Sequence, residues 1–218
     1  MGLTEAMKAK LANVSLSENK DSAVRARFKK KFNVSDDQLV DFFGQIGQVE
    51  SKNKNIPQGG GGPGRGFFQF ETKKGSGAFQ TALNRYENMN KALLGENWEA
   101  PGWFKGAKAS DNAMLLTRSQ QEDILLADLY NKTVDKTPGL GDKLIREAFD
   151  TGSVKNLWLR AHWAGAKPGT SAYNLKAKQF DRTVSGYERT KMNKDWSSIE
   201  GAFNQMKALD DPFGGRLA

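Results

Sequence analysis

Apolar residues recur at helical spacing along most of the chain. Leu39, Phe42, Phe43 and Ile46 follow at three and four residues behind Ser35 and Gln38, which are spaced as a capping box, with Asp36 and Asp37 in the first turn. A helix opening at Ser35 and burying one face is the expectation. Phe79, Ala82, Leu83 and Tyr86, continued by Met89 and Leu93, predict a second helix. Thr117 and Gln120 form another capping pair ahead of Ile124, Leu125, Leu126, Leu129 and Tyr130. Further on, Asp142 is placed to cap Leu144 to Phe149, Gly152 to end that segment, and Ser153 to open Val154, Leu157, Trp158 and Ala161. Phe180, Val184 and Tyr187 mark one more helix, and Ile199, Phe203, Met206 and Leu209 a last amphipathic one. Ahead of Ser35, Thr4 heads Met7, Leu11 and Val14, and Ser22 heads a segment through Phe28 and Phe32. No alternating series, heptad or internal repeat competes. The expected class is mostly α, with a short β-hairpin near the glycine-rich stretch.

Glu50 breaks the first of these patterns. It falls four residues past Ile46, on the face expected to meet the core, where a hydrophobe would be usual. A carboxyl that loses water there without a cation is driven toward its protonated form, as a general acid requires. The alternative is an ordinary helix end whose carboxylate turns to solvent beside Lys52 and Lys54.

Composition narrows the chemistry. The 218-residue chain has no cysteine and a single histidine, His162, so it offers neither a thiolate nor a multi-histidine metal site. No metal and no cofactor is expected. There is no Gly-x-Ser-x-Gly elbow, no signal-type segment at the N-terminus and no span long enough to cross a bilayer. Synthesis in the cytoplasm without a signal peptide is the expectation. The formal charge of +8 favours polyanionic partners. Arg25, Arg27, Lys29, Lys30 and Lys31 make the densest basic run, either the solvated face of a helix with Phe28 turned inward or a weak nucleic-acid contact.

Between Gly59 and Gly66 the chain carries six glycines with Pro63 and Arg65, then Phe67, Phe68, Gln69 and Phe70. The lysine and hydroxyl residue that a phosphate-binding loop needs after its last glycine are missing. Glu50-Ser51, the loop and Gly66-Phe67-Phe68-Gln69 together resemble the signature of the lytic transglycosylases of the lysozyme superfamily, with Phe67 and Phe68 in place of a leucine and a methionine. Ala161-His162-Trp163-Ala164-Gly165 resembles that family's third element, His162 standing at its tyrosine and Trp163 at its asparagine.

The resemblance implies a lysozyme-like helical domain with a glycine-rich cleft loop over residues 35–190, preceded by a basic helical arm, 1–34, and followed by a helix and tail, 191–218. It implies peptidoglycan glycan strands as substrate and Glu50 as the single acid and base. Protonated Glu50 would donate to the MurNAc-GlcNAc oxygen, and as a base would then accept the muramoyl hydroxyl proton to close a 1,6-anhydro ring. Ser51, Gly66, Phe68, Gln69, His162 and Trp163 would bind the glycan. A hydrolytic muramidase or endolysin would need a second carboxylate, for which Glu71 and Asp111 are available. Trp98, Trp103 and Trp163 are aromatic surfaces for sugar or for the core. The circumstance of a wall-cleaving chain with a basic arm is similar to proteins packaged in phage virions to aid genome entry through the bacterial wall, with other virion proteins as docking partners. The competing expectation is a non-catalytic basic virion component binding DNA or other subunits.

Overall fold

The computed structural model describes residues 22–130, 132–162 and 168–185. The segments around Met7 and Ile199, the position Tyr187, and Trp163 with Ala164 and Gly165 lie outside the described residues. The class is mostly α with one small sheet, as the periodicities lead one to expect. In chain order the helices are α1 (Ala23–Phe32), α2 (Asp36–Ser51), α3 (Ala78–Leu94), α4 (Gly102–Ser110), α5 (Arg118–Tyr130), α6 (Leu140–Thr151) and α7 (Lys155–Leu157), which continues as a π turn, Trp158–His162. A helix over 171–185, α8, follows.

Local chemistry explains several of the helix ends. The Ser35 hydroxyl accepts from the Gln38 N–H at 3.2 Å, and the Gln38 side chain accepts from the Ser35 N–H at 2.9 Å. This reciprocal pair satisfies two N–H groups that the first turn of α2 leaves without helical partners. Thr117 and Gln120 do the same at α5. Ser22 caps α1 by accepting from Arg25 N–H at 3.0 Å. Gly152 ends α6 with φ at +67°, the left-handed backbone that glycine takes without a Cβ clash. Two starts differ from expectation. α6 begins at Leu140, so Asp142 sits in its first turn and pairs with Lys31 instead of capping. α7 begins after Val154 rather than after a capped Ser153.

The packing centres on α5, whose residues from Gln121 to Leu129 are all buried. α3 and α1 pack against it and against each other, and α2 lies against α6. Val24, Phe28 and Phe32 of α1 belong to the same core as Leu39, Phe42, Phe43 and Ile46 of α2. The described part of the expected N-terminal arm therefore contributes core side chains. Phe42 stacks on Phe149 with ring centres 4.9 Å apart, and Phe43, Phe68, Phe70 and Phe79 form a chain of ring contacts between α2, the hairpin and α3. Trp98 and Trp103, half-buried, pack around Tyr86 and Phe104 in a second aromatic cluster.

Strands β1 (Gly64–Arg65) and β2 (Phe70–Glu71) pair antiparallel, Gly64 opposite Glu71 and Arg65 opposite Phe70. The turn between them depends on Gly66. Its φ is +86°, and a Cβ there would meet Gln121 Oε1 at 2.2 Å. Fully buried Gln121 accepts from Phe67 N–H at 2.9 Å and donates to Asn55 Oδ1 and the Leu116 carbonyl, both at 3.2 Å. One side chain of α5 thus ties down both the hairpin turn and the loop after α2.

Candidate functional site

A groove of about 780 Å³ lies between the hairpin, the end of α2, α5 and α8. Val49, Glu50 and Trp158 line it together with Gln58, Gln69, Glu71 and Ser76, and Asp128, Lys132, Lys176, Gln179 and Arg182 line it as well. Its charge is mixed. Glu50 is half-buried, and its Oε1 accepts from Trp158 Nε1 at 2.5 Å. Gln69 is held in the left-handed region, φ +48°, with Nε2 donating to the Ile56 and Gly66 carbonyls at 3.0 and 2.8 Å. Its Oε1 is buried with no hydrogen-bond partner among the described residues.

The other expected glycan-contacting residues are placed differently. Ser51 is buried away from the groove, donating to the Phe67 carbonyl at 2.8 Å and accepting from Lys54 N–H. Gly66 is the turn glycine against Gln121. Phe68 is fully buried among Phe43 and Phe70. These three positions are structural because hydroxyl, backbone and ring are all occupied inside the fold. His162 ends the π turn, and Trp163 lies outside the described residues. Of the candidate second carboxylates, Glu71 lines the groove and accepts from Ser76 N–H, whereas Asp111 accepts from Lys73 N–H and Gln80 Nε2 at the far end of α4.

The basic run of α1 divides into two kinds of residue. Arg25 is 3 % exposed and is spent inside the fold, donating to Glu122 at 3.0 Å and to Asp123 at 3.1 and 3.2 Å. It cannot reach a phosphate, which removes it from the expected nucleic-acid contact. Lys29 pairs with Asp36, and Lys31 with Asp142 and the Tyr130 carbonyl. Lys31 also stands 4.3 Å over the Tyr130 ring, while the Arg146 guanidinium lies over Phe32 and donates to the Lys31 carbonyl. Arg27 and Lys30 are exposed, Arg27 with its Nε on the Tyr130 hydroxyl at 3.0 Å. The result is a basic face on α1 and α6 whose cations are mostly held in place by aromatic and backbone groups. Sequence reading named the run but not Arg146 or Arg85, because no linear pattern joins α1 to α3 and α6.

Beside Arg25, burial pushes the Asp123 carboxyl up to about 6, against the lowering pull of the guanidinium, and neighbouring Glu122 pushes the same way as burial. In the unfolded chain the group returns to its ordinary value near 3.8. The native state therefore holds this proton more tightly. Its contribution to stability is greatest in acid, falls as pH rises between about 4 and about 6, and stays reduced above that. Chemical denaturation of wild type and Asp123→Asn across this range is expected to show the falling slope only in wild type. Parallel curves would remove the assignment.

A family model for the RNA recognition motif matches residues 31–94. Over this span the chain is similar to an RNA-binding domain. The match covers less than a third of the 218 residues. No curated protein and no solved structure matches the chain. The match overturns the expectation of a peptidoglycan lytic transglycosylase or muramidase, since the motif is an RNA-binding one and not a wall-cleaving one, and it gives the phage and genome-entry reading no support. Glycan strands likewise lose their place as the expected partner. No described helix is long and apolar enough to cross a membrane.

Sequence similarity and geometry differ on one point. RNA recognition motifs read bases on the aromatic face of a four-stranded sheet. Residues 31–94 here hold the end of α1, α2, a hairpin of two-residue strands and α3, with Phe68 and Phe70 turned into the core. A sheet platform for stacking is thus absent over that span.

Proposed function

We propose that the chain is an RNA-binding protein that engages the phosphate backbone through the basic face of α1 and α6. The family match over residues 31–94 carries the reading. Arg27, Lys30, Lys31 and Arg146 supply its surface, and the net charge of +8 supplies long-range attraction. Fixed cations suit this task. A guanidinium already held by Tyr130 or stacked on Phe32 loses less side-chain freedom when a phosphate arrives than a free lysine does.

The test is fluorescence anisotropy with a labelled RNA strand between roughly 50 and 200 mM salt, where counterion release makes affinity fall steeply. The double variant Lys30→Ala, Arg146→Ala is expected to weaken binding at every sequence alike. It should also reduce the steepness of the salt dependence by roughly 0.7 for each phosphate that the variant no longer neutralises. An unchanged slope in the variant contradicts the proposal.

A further inference from the structure

A second depression, about 460 Å³, opens between α1, α3 and α5 next to that basic face. Arg27 and Tyr130 belong to both. Met89, Leu93 and Ala127 give it an apolar floor, Ala92 lies at its edge, and Arg27, Arg85 and Asn88 supply the polar groups. No carboxylate is among its lining residues. Both arginines are fixed from behind: Arg27 Nε by the Tyr130 hydroxyl, and Arg85 Nη1 by the Asp128 carbonyl and carboxylate at 3.1 and 2.6 Å. Each guanidinium has five N–H donors, so most remain for a ligand. An apolar floor under two positioned cations complements a flat ring attached to phosphates, and the volume lies within the roughly 300–1,000 Å³ usual for ligand clefts.

We propose that this depression receives one unstacked adenine of single-stranded RNA. The inference rests on the RNA reading above and adds what is recognised. The base lies on Met89 and Leu93, the Arg27 guanidinium covers it or takes the adjoining phosphate, and Arg85 takes the phosphate on the other side. Asn88 faces the base edge, where an amide matches the donor and acceptor pair that adenine presents at N6 and N7. A duplex cannot enter, because its bases are stacked and their edges lie inside an A-form helix.

The experiment uses the full chain and three labelled probes: an all-uridine strand, the same strand with one central adenosine, and an RNA duplex of equal length. Wild type is expected to bind the adenosine strand roughly tenfold tighter than the duplex and several-fold tighter than all-uridine, in keeping with the worth of a stacked and read base. Ala92→Trp fills the depression from an exposed position and should abolish the preference for single strand. Asn88→Ala, also exposed, should bring the adenosine strand to the all-uridine level. If both variants keep both preferences, the base is bound elsewhere and this inference fails while salt-sensitive RNA binding stands. If wild type binds no RNA, both readings fail together.

Discussion

Replacing Arg25 by alanine is expected to cost about 3–5 kcal/mol of folding stability, the loss that follows when one partner of a buried ion cluster is removed. Arg25, Glu122 and Asp123 are all nearly inaccessible to solvent, and the guanidinium is the cation that both carboxylates share. Forming such a cluster from hydrated ions gains little, because desolvation consumes most of the attraction. Removing only the cation is different, since two acids then stay buried. Glu122 retains Arg118 at 3.0 Å, but Asp123 is left with burial unopposed by its strongest cation. Asp123 then takes up a proton more readily still, so the loss in Arg25→Ala should be smaller near pH 5 than near pH 8. Urea denaturation at the two pH values measures both quantities. A cost under about 1 kcal/mol, typical of exposed pairs, would mean that the cluster is hydrated in solution. As a companion, Arg25→Met combined with Glu122→Gln and Asp123→Asn should recover most of the loss, because no buried charge of the cluster remains.

Helical periodicity made the elements legible because capping chemistry is local. Ser35 with Gln38, Thr117 with Gln120, Ser22 and Gly152 each act within a few residues, and each stands where the pattern puts it. What periodicity could not reach was long-range partnership. Arg25 looked like one more cation of a surface run, and only the approach of α5 turns it inward against residues almost a hundred positions away. The spacing past Ile46 points Glu50 toward the core, whereas the carboxyl is half-buried at the edge of a groove. A groove does not name its ligand, and the motif likeness that supplied one was overturned by the match to an RNA-binding family. The likeness draws on scattered positions from Ser35 to Gly165 and the match on residues 31–94, so the two overlap at Glu50, Ser51 and residues 66–69. They differ because a few scattered positions such as Gly66 and Gln69 answer to turn geometry first: Gly66 to a positive φ against Gln121, Gln69 to two backbone carbonyls.

The second large effect concerns Phe68. Its ring is fully buried, 6.0 Å from Phe43 and 6.3 Å from Phe70, and it joins the hairpin to α2. Phe68→Ala removes that ring and leaves a cavity among rings that belong to different elements. The lining cannot close without moving the hairpin, which Gln121 and Ser51 hold at Phe67 on the neighbouring residue. A loss of about 3–5 kcal/mol follows from the transfer and cavity terms together. Phe68→Leu, which keeps most of the volume, should cost much less, about 1.5 kcal/mol or below. The pair of variants separates packing from ligand contact. A core residue changes the denaturation midpoint and leaves the RNA salt slope of the surviving folded fraction intact, whereas a ring that stacks on a base would lower affinity in Phe68→Leu with little change in stability. The 0 % exposure of Phe68 predicts the first outcome, and the second would place the hairpin face in contact with RNA after all.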